Sequence, residues 1–421
     1  MALSGIQIYK LLPQTNCKEC GFPTCLAFAM KLAAKQVELS ACPYVTEESK
    51  TQLAESSAPP IRLVTLKSDG YEVKAGNEVV LFRHEKTFYN KPGLFVRVLD
   101  TEAPAEIQAK ISKADAFKVN YVGIDLTLDG FAVASVSGDA ATFAGAVKAV
   151  RQSSHRPLIL MSRNPQIMAA GLEQLKDETP LIYGADTDNW EAMADLAMRN
   201  KSALGVIATS LDSLADLTEK IKTKGVEDLV IDPGGRSFNQ ALTLGTQIRR
   251  LSVKKNFRPL GFPVITFPAD AGNPGLEAML AAQSIAKYAG FIVLDTTAPA
   301  ALYPLLVLRQ NIYTDPQKPI QVQPGIYEIN NPKAEDPVLV TTNFSITYFS
   351  VANEVEGSGL PAWLVVTDAE GMSVLTAWAA GKFDAERIAK AIKGFNVADK
   401  ISRKRIVIPG HVAVLSGELE E

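Results

Sequence analysis

Every cysteine in this 421-residue chain falls between Asn16 and Pro43, and that crowding limits the chain's chemistry more than any other feature. Cys17, Cys20, Cys25 and Cys42 follow a C-x2-C-x4-C-x16-C spacing, and no thiol occurs from there to Glu421. Four thiolates match the ligand count of a single soft-metal site, either zinc or iron-sulfur. Structural zinc usually takes two short pairs, such as C-x2-C with a second C-x2-C or H-x3-5-H. Here the second pair is missing and the third cysteine follows after four intervening residues. The spacing therefore favours a [4Fe-4S] cluster.

The wide gap before Cys42 agrees with chain dimensions. Thr24 to about Lys35 reads as a helix with Leu26, Met30, Ala33 and Val37 on one stripe. Such a helix carries the chain away by about 16 Å at ~1.5 Å per residue, and an extended Gln36 to Ala41 spans about 20 Å on the way back. Pro43 stops a further helix from starting there. A disulfide role is disfavoured, because the thiols crowd at one end of a chain whose first residues lack a basic n-region and a cleavage site.

Composition sets the outer bounds. Hydrophobic residues make up 47% and charged residues 21%, the balance of an ordinary globular protein. At this length about two to three domains are expected. A net charge of -3, with no basic run interleaved with aromatics, argues against nucleic acid as a partner. No run approaches the ~18 apolar residues of a membrane span, so a cytoplasmic protein is expected.

After the cysteine segment (1–57, with its linker), residues 58–92 show the hairpin signals Ser68-Asp69-Gly70 and Ala75-Gly76-Asn77 and read as a small β cap. Residues 93–313 then alternate short apolar runs with helical stretches. The expected strands are Leu94 to Val98, Tyr121 to Asp125, Pro157 to Met161, Leu181 to Gly184, Leu204 to Thr209, Leu229 to Asp232, Val264 to Phe267 and Phe291 to Asp295. Eight such units predict a closed (β/α)8 TIM barrel. Asn164-Pro165 and Asn273-Pro274 mark helix starts, and Asp188 with Glu191 has capping-box spacing. Ligand chemistry in a barrel would gather where strands end, at Asp125, Ser162-Arg163, Asp186, Asp232 to Gly235, Asp270 and Asp295. Asp232 to Arg236 is the most suggestive stretch, because glycines before a helix can offer N–H groups to an anion. Tight turns and helix caps explain the same residues equally well.

Prolines 316, 319, 324, 332 and 337 make residues 314–337 read as a linker. From 338 to 421 the β/α alternation resumes, which predicts a small doubly wound, flavodoxin-like domain. Its ligands should collect at the strand carboxyl ends: Thr341-Thr342-Asn343, Asp368 to Ser373, and Pro409-Gly410-His411.

The segments KLLPQTNCKECGFPTCLAFAMKLA, TTNFSITYFSVANEVE, TDAEGMSVLTAWAAGKF and PGHVAVLSGELEE, spread over essentially the whole chain, resemble the large (gamma) subunit of corrinoid iron-sulfur proteins of the acetyl-CoA pathway. The resemblance implies a methyl-transfer protein that works with partner enzymes. A base-off cobalt corrinoid accepts a methyl group from methyltetrahydrofolate on a methyltransferase and delivers it to acetyl-CoA synthase. A [4Fe-4S] cluster on residues matching Cys17, Cys20, Cys25 and Cys42 returns accidentally oxidised Co(II) to Co(I). A small (delta) subunit completes a heterodimer. The family pattern continues past GELEE with another strand and helix.

A corrin ring is broad and fringed with amides, so its site needs backbone N–H groups, small hydroxyls and an apolar floor. Thr341, Thr342, Ser345 and Ile346 on one loop, Gly371, Met372, Ser373 and Val374 on a second, and His411, Val412 and Ala413 on a third supply that mixture. The sequence has no Asp-x-His-x-x-Gly motif, and His411 is read as a loop or corrin-edge residue and not as a cobalt ligand. Two other readings compete. One is an iron-sulfur electron-transfer or scaffold subunit without its own corrinoid. The other is a barrel methyltransferase holding a pterin at Asp125, Asp186 and Asp232.

Overall fold

The computed structural model describes residues 4–33, 36–50, 53, 59–315 and 320–421. The chain divides into two compact units: Met1–Leu81, Tyr89–Ser112 and Asp129–Thr297 in the first, and Phe82–Phe88, Lys113–Leu128 and Ala298–Glu421 in the second.

The first unit opens with two short helices, α1 (Gly5–Leu11) and α2 (Cys25–Ala33). Ser4 and Gln7 form a reciprocal capping box at the start of α1. Residues 34 and 35, the expected end of the second helix, lie outside the described residues. Only half of the expected apolar stripe turns inward: Ala33 and Val37, partly buried, pack against the core. Leu26 and Met30 are exposed, whereas Cys25, Phe28 and Ala29 face a core formed with Ile8, Leu12, Cys42 and Val45. Cys25 must turn inward, and the i, i+3, i+4 positions follow it. The return to Cys42 is not a simple extended strand, because Leu39–Ala41 forms a 3-10 turn.

Strands β1 (Val64–Ser68) and β2 (Tyr71–Ala75) pair antiparallel around Asp69-Gly70, as the sequence predicted, while the Ala75-Gly76-Asn77 signal leads into no further strand before residue 93. Val64, Leu66, Val73 and Ala75 of this hairpin pack among the barrel residues Phe95, Leu181, Ala203 and Val230. Gly93 and Gly290, at or near the starts of barrel strands, leave room for Val73 and Ala75, so the hairpin plugs the amino end of the barrel.

The barrel is closed and all-parallel. Its strands are β3 (Gly93–Leu99), β6 (Gly130–Ala134), β7 (Leu158–Met161), β8 (Leu181–Ala185), β9 (Ala203–Ile207), β10 (Leu229–Asp232), β11 (Val264–Thr266) and β12 (Ala289–Leu294). One expected strand was misplaced. Tyr121 to Asp125 belongs to an antiparallel hairpin, β4 (Lys118–Tyr121) and β5 (Ile124–Thr127), outside the barrel and in the second unit. Its turn residues Val122 and Gly123 have φ of 49° and 81°, the left-handed pair of a type I′ hairpin. The true second barrel strand is the fully buried run Gly130 to Ala134, which shows no alternation. Asn164 and Asn273 do cap their helices. Asp188 does not: Asn189 holds the N-cap position of Trp190–Asn200 and makes no side-chain cap bond there.

The second unit carries a four-stranded sheet in the order β13 (Gly325–Ile329), β15 (Ala362–Thr367), β14 (Val338–Thr342), β16 (Ile406–Val407). The last three run parallel, while β13 is an antiparallel edge strand. β13 lies inside the stretch read as a linker, whose residues 316–319 are outside the described residues. Alternation along β15 sends Trp363 and Val365 to a core with Phe383, Ile388 and Val412, and Leu364 and Val366 to another with Val122, Val322 and Ile329. Helices therefore cover both faces, which is the doubly wound arrangement.

Candidate functional site

The thiol segment is tied together by two hydrogen bonds from the Cys17–Cys20 loop. Asn16 Oδ1 accepts the Cys25 N–H at 2.8 Å, linking the first ligand position to the helix that begins with the third. Tyr44 Oη donates to Glu19 Oε1 at 2.8 Å, linking the loop to the stretch just past Cys42, and that carboxylate pushes the Tyr44 phenol up. All four cysteines are free; Cys25 and Cys42 are buried, Cys20 is half-buried and Cys17 is exposed. Among the described residues, no three His, Cys, Asp or Glu side chains stand in metal-holding geometry, so the thiols share one segment without forming a preset ligand shell. The donor set and backbone nevertheless fit a cluster. Four soft ligands share one segment, and the loop that carries Cys17 and Cys20 is tightly turned, with left-handed φ at Gln14 (58°), Asn16 (50°), Lys18 (68°) and Gly21 (81°).

At the barrel mouth the charged strand-end side chains satisfy one another, while the Thr266 hydroxyl at the end of β11 has no partner among the described residues. Arg97 is bidentate to Asp295 at 2.8 Å and also reaches Asp270 at 2.6 Å. Arg236 contacts Asp270 at 3.3 Å and is bidentate to Asp232 at 3.0 and 2.7 Å, and Tyr183 Oη donates to Asp232 at 2.6 Å. Burial and the Asp232 carboxylate hold the Tyr183 phenol far above its ordinary range. Burial works against the Arg236 and Arg97 cations, yet their carboxylate partners raise both. Glu277, buried, accepts the N–H groups of Asp295 and Thr296. The anion site expected at Asp232 to Arg236 is thus filled from within: the Gly234 N–H donates to Asp232 at 2.8 Å and Arg236 neutralises that carboxylate. Asp125 is not at the mouth; it sits exposed on β5, where Lys118 and Asn120 hold it below the usual carboxylate range. Arg163 and Asp186 line a cleft of about 770 Å³ beside the mouth, with Thr209, Gly234 and Gln240. The pterin trio of Asp125, Asp186 and Asp232 is therefore not assembled.

The carboxyl edge of the C-terminal sheet is different. Thr341 and Thr342, at the end of β14, are 1% and 0% exposed, and their hydroxyl oxygens have no hydrogen-bond partner among the described residues. Next to them Asn343, also buried, bolts two of the predicted loops together. Its Oδ1 accepts the N–H groups of Ala369 and Gly371 at 2.9 Å, and its Nδ2 donates to Gln321 and Asp368 at 3.3 Å. Gly371 (φ 72°) is required there, since a Cβ would lie 2.7 Å from the Gln321 side chain. Helix Val374–Ala379, with Ser373 at the N-cap position and its hydroxyl on Thr376 Oγ1, packs against Gly410–Leu415, which brings the second and third loops together. Val374 and Val412 point into the core, Met372 and Ser373 are half-buried, and His411 and Ala413 are exposed. Ser345 Oγ donates to the Ile320 carbonyl. Ile346 (66% exposed), Leu375, Trp378 and Val414 present apolar surface on helices and loops that start from this edge. Unpaired buried hydroxyls beside open apolar side chains fit the rim of a large, amide-fringed ring. Asn343 was missed as the organising residue, although its position directly after the two strand-end threonines was visible.

A soft-metal thiol segment and a separate, cofactor-type sheet edge on one chain define a protein that carries two prosthetic groups. The comparisons with known proteins name the family. A family model described as "CO dehydrogenase/acetyl-CoA synthase delta subunit" matches residues 63–421, and one described as "Putative Fe-S cluster" matches residues 12–44. The chain is 43% identical over 421 residues to the corrinoid/iron-sulfur protein large subunit of Moorella thermoacetica, covering 100% of this chain and 94% of that one. It is 37% identical over 432 residues to the acetyl-CoA decarbonylase/synthase complex subunit gamma of Methanopyrus kandleri, covering 100% and 93%. The Archaeoglobus fulgidus gamma subunit matches at 35% over 440 residues, covering 99% and 93%. The chain belongs to the corrinoid/iron-sulfur protein large-subunit family of the acetyl-CoA pathway.

Proposed function

We propose that this chain is a methyl carrier whose C-terminal sheet edge holds a base-off corrinoid and whose N-terminal thiols hold a [4Fe-4S] cluster. When bound, the corrinoid supplies the cobalt that takes a methyl group from methyltetrahydrofolate, through a methyltransferase, to acetyl-CoA synthase, and the cluster supplies the single electron that restores Co(I) from Co(II). The chain's own residues have narrower tasks. Asn343 fixes the spacing of the two loops that flank the ring, Thr341 and Thr342 offer hydroxyls to its amide fringe, and Ile346 with Leu375 excludes water. Cys17, Cys20, Cys25 and Cys42 are the cluster ligands in this reading. A small subunit is the expected partner, because the Moorella relative is named a large subunit. The functional division then runs from a cluster region (1–57) and a β cap (58–92) through a docking barrel (93–313) to a corrinoid region from residue 338 onward.

The observation that carries this reading is the sheet edge where Asn343 ties two strand-end loops together while Ile346, Leu375, Trp378 and Val414 leave apolar surface open. An absorption spectrum of the anaerobically purified complex tests it. Corrin bands beside the broad iron-sulfur absorption are expected; cluster absorption without corrin bands would leave only an electron-transfer or scaffold subunit. Cys20→Ala should lose or convert the cluster and keep the corrin bands. Pre-reduced to Co(I), this variant should still accept methyl at a near-normal rate, yet fail to recover after oxidation with a physiological electron donor.

A further inference from the structure

We infer that the backbone from Gln14 to Gly21 is a built N–H cradle that favours the reduced form of the cluster, and that Asn16 is the residue that positions it. The inference rests on the cluster reading above and concerns residues that are not ligands. Left-handed φ recurs at positions 14, 16 and 18, while 15 and 17 are not left-handed, so the chain alternates hand on both sides of Cys17. Three of these residues are not glycine, and each left-handed non-glycine costs about 1–2 kcal/mol. A sequence free to relax would not keep three within five positions. Alternating hands turn successive N–H groups toward one concavity, an arrangement that binds anions. Among the described residues, the N–H groups from Thr15 to Cys20 find no acceptor in the protein, and the first that does is Gly21, on the Lys18 carbonyl at 2.9 Å. The concavity is held by the Asn16 side chain, which accepts the Cys25 N–H across nine positions. Asparagine suits both demands, since it tolerates the left-handed region and offers a short carbonyl.

On reduction the cluster gains one electron, and with it one unit of negative charge, from an external low-potential donor; no bond to a ligand breaks and no proton is required. Donors aimed at that charge stabilise the reduced form more than the oxidised form. The test is a mediated, EPR-monitored redox titration of the complete heterodimer, with iron content measured alongside. Lys18→Gly and Lys18→Val both remove the same ammonium group, so the difference between them reads the backbone alone. Glycine keeps the left-handed conformation, and valine opposes it. The expected result is that Lys18→Val favours the oxidised cluster about tenfold more than Lys18→Gly does, equal to about 59 mV for one electron. Asn16→Ala should shift further than Asn16→Gly for the same reason. Loss of the cluster from Lys18→Val but not from Lys18→Gly would equally support the cradle. Identical potentials and iron contents within each pair would overturn it. Wild-type complex lacking a [4Fe-4S] signal would instead overturn the cluster reading on which it rests.

Discussion

The barrel mouth and the carboxyl edge of the C-terminal sheet are both made of parallel strand ends and both bury a hydroxyl without a partner among the described residues, yet only the mouth gathers a network of charges. At the mouth, Asp295, Arg97, Asp270, Arg236, Asp232 and Tyr183 form a continuous chain of ion pairs and hydrogen bonds. At the sheet edge, two fully buried hydroxyls are unpaired, and large apolar side chains remain open. On the proposed reading the charged mouth serves structure and the open apolar edge takes the cofactor. It also accounts for a (β/α)8 fold whose strand-end acids Asp232, Asp270 and Asp295 are each paired with an arginine.

The largest expected effect tests the structural half. Arg236→Leu leaves Asp232, 1% exposed, as an uncompensated buried charge, and should destabilise the barrel by about 3–5 kcal/mol in urea unfolding. Corrin content of the fraction that still folds should not change; a proportional loss would show that the mouth contributes to cofactor binding. Next, Asn343→Ala removes the acceptor for two buried N–H groups and should cost about 2 kcal/mol, with faster corrin release, because the loops it joins would no longer keep their spacing.

Thr342→Val sharpens the comparison, because the two states should respond with opposite signs. Without corrin, replacing an unpaired hydroxyl by a methyl should leave stability equal or up to ~1 kcal/mol higher. With corrin, retention should fall severalfold. A stability loss in the corrin-free protein would mean that this hydroxyl is already satisfied.

The smallest effect concerns pH. Burial pushes the Tyr327 phenol from 10.0 up to about 12, with Tyr348 adding to the shift. The unfolded chain releases this proton near pH 10, while the folded chain holds it to about pH 12. Stability of the second unit is therefore complete below pH 10 and declines between those values. Tyr327→Phe should flatten part of that decline in urea midpoints measured across the range.

Much of this was legible from patterns, and the failures have physical causes. Barrel strands such as Leu229 to Asp232 stood out because a fully buried strand is a short apolar run. Tyr121 to Asp125 has the same appearance, since an exposed hairpin and a barrel strand share β-branched and aromatic residues, and only the Val122-Gly123 turn separates them. β13 was hidden by the prolines on either side of it. The cysteine segment could be read from spacing alone, but the buried face of its helix could not, because Leu26 and Met30 look like core residues until Cys25 is required to turn inward. The three strand-end loops proposed for the corrinoid were chosen from strand-end position alone. The bolt that joins two of them, Asn343, depends on hydrogen bonds that span 25 to 28 residues and leave no local signature.

The central claim, that the sheet edge and not the barrel mouth carries the corrinoid, is tested most directly by the corrin-to-iron ratio of two variants of the purified complex. Ile346→Asp alters a side chain that is 66% exposed, so folding should survive. Asp232→Asn changes the charge at the centre of the mouth network. The account predicts a corrin-to-iron ratio at least tenfold lower in Ile346→Asp and within twofold of wild type in Asp232→Asn. A normal ratio in Ile346→Asp together with a tenfold loss in Asp232→Asn would contradict it.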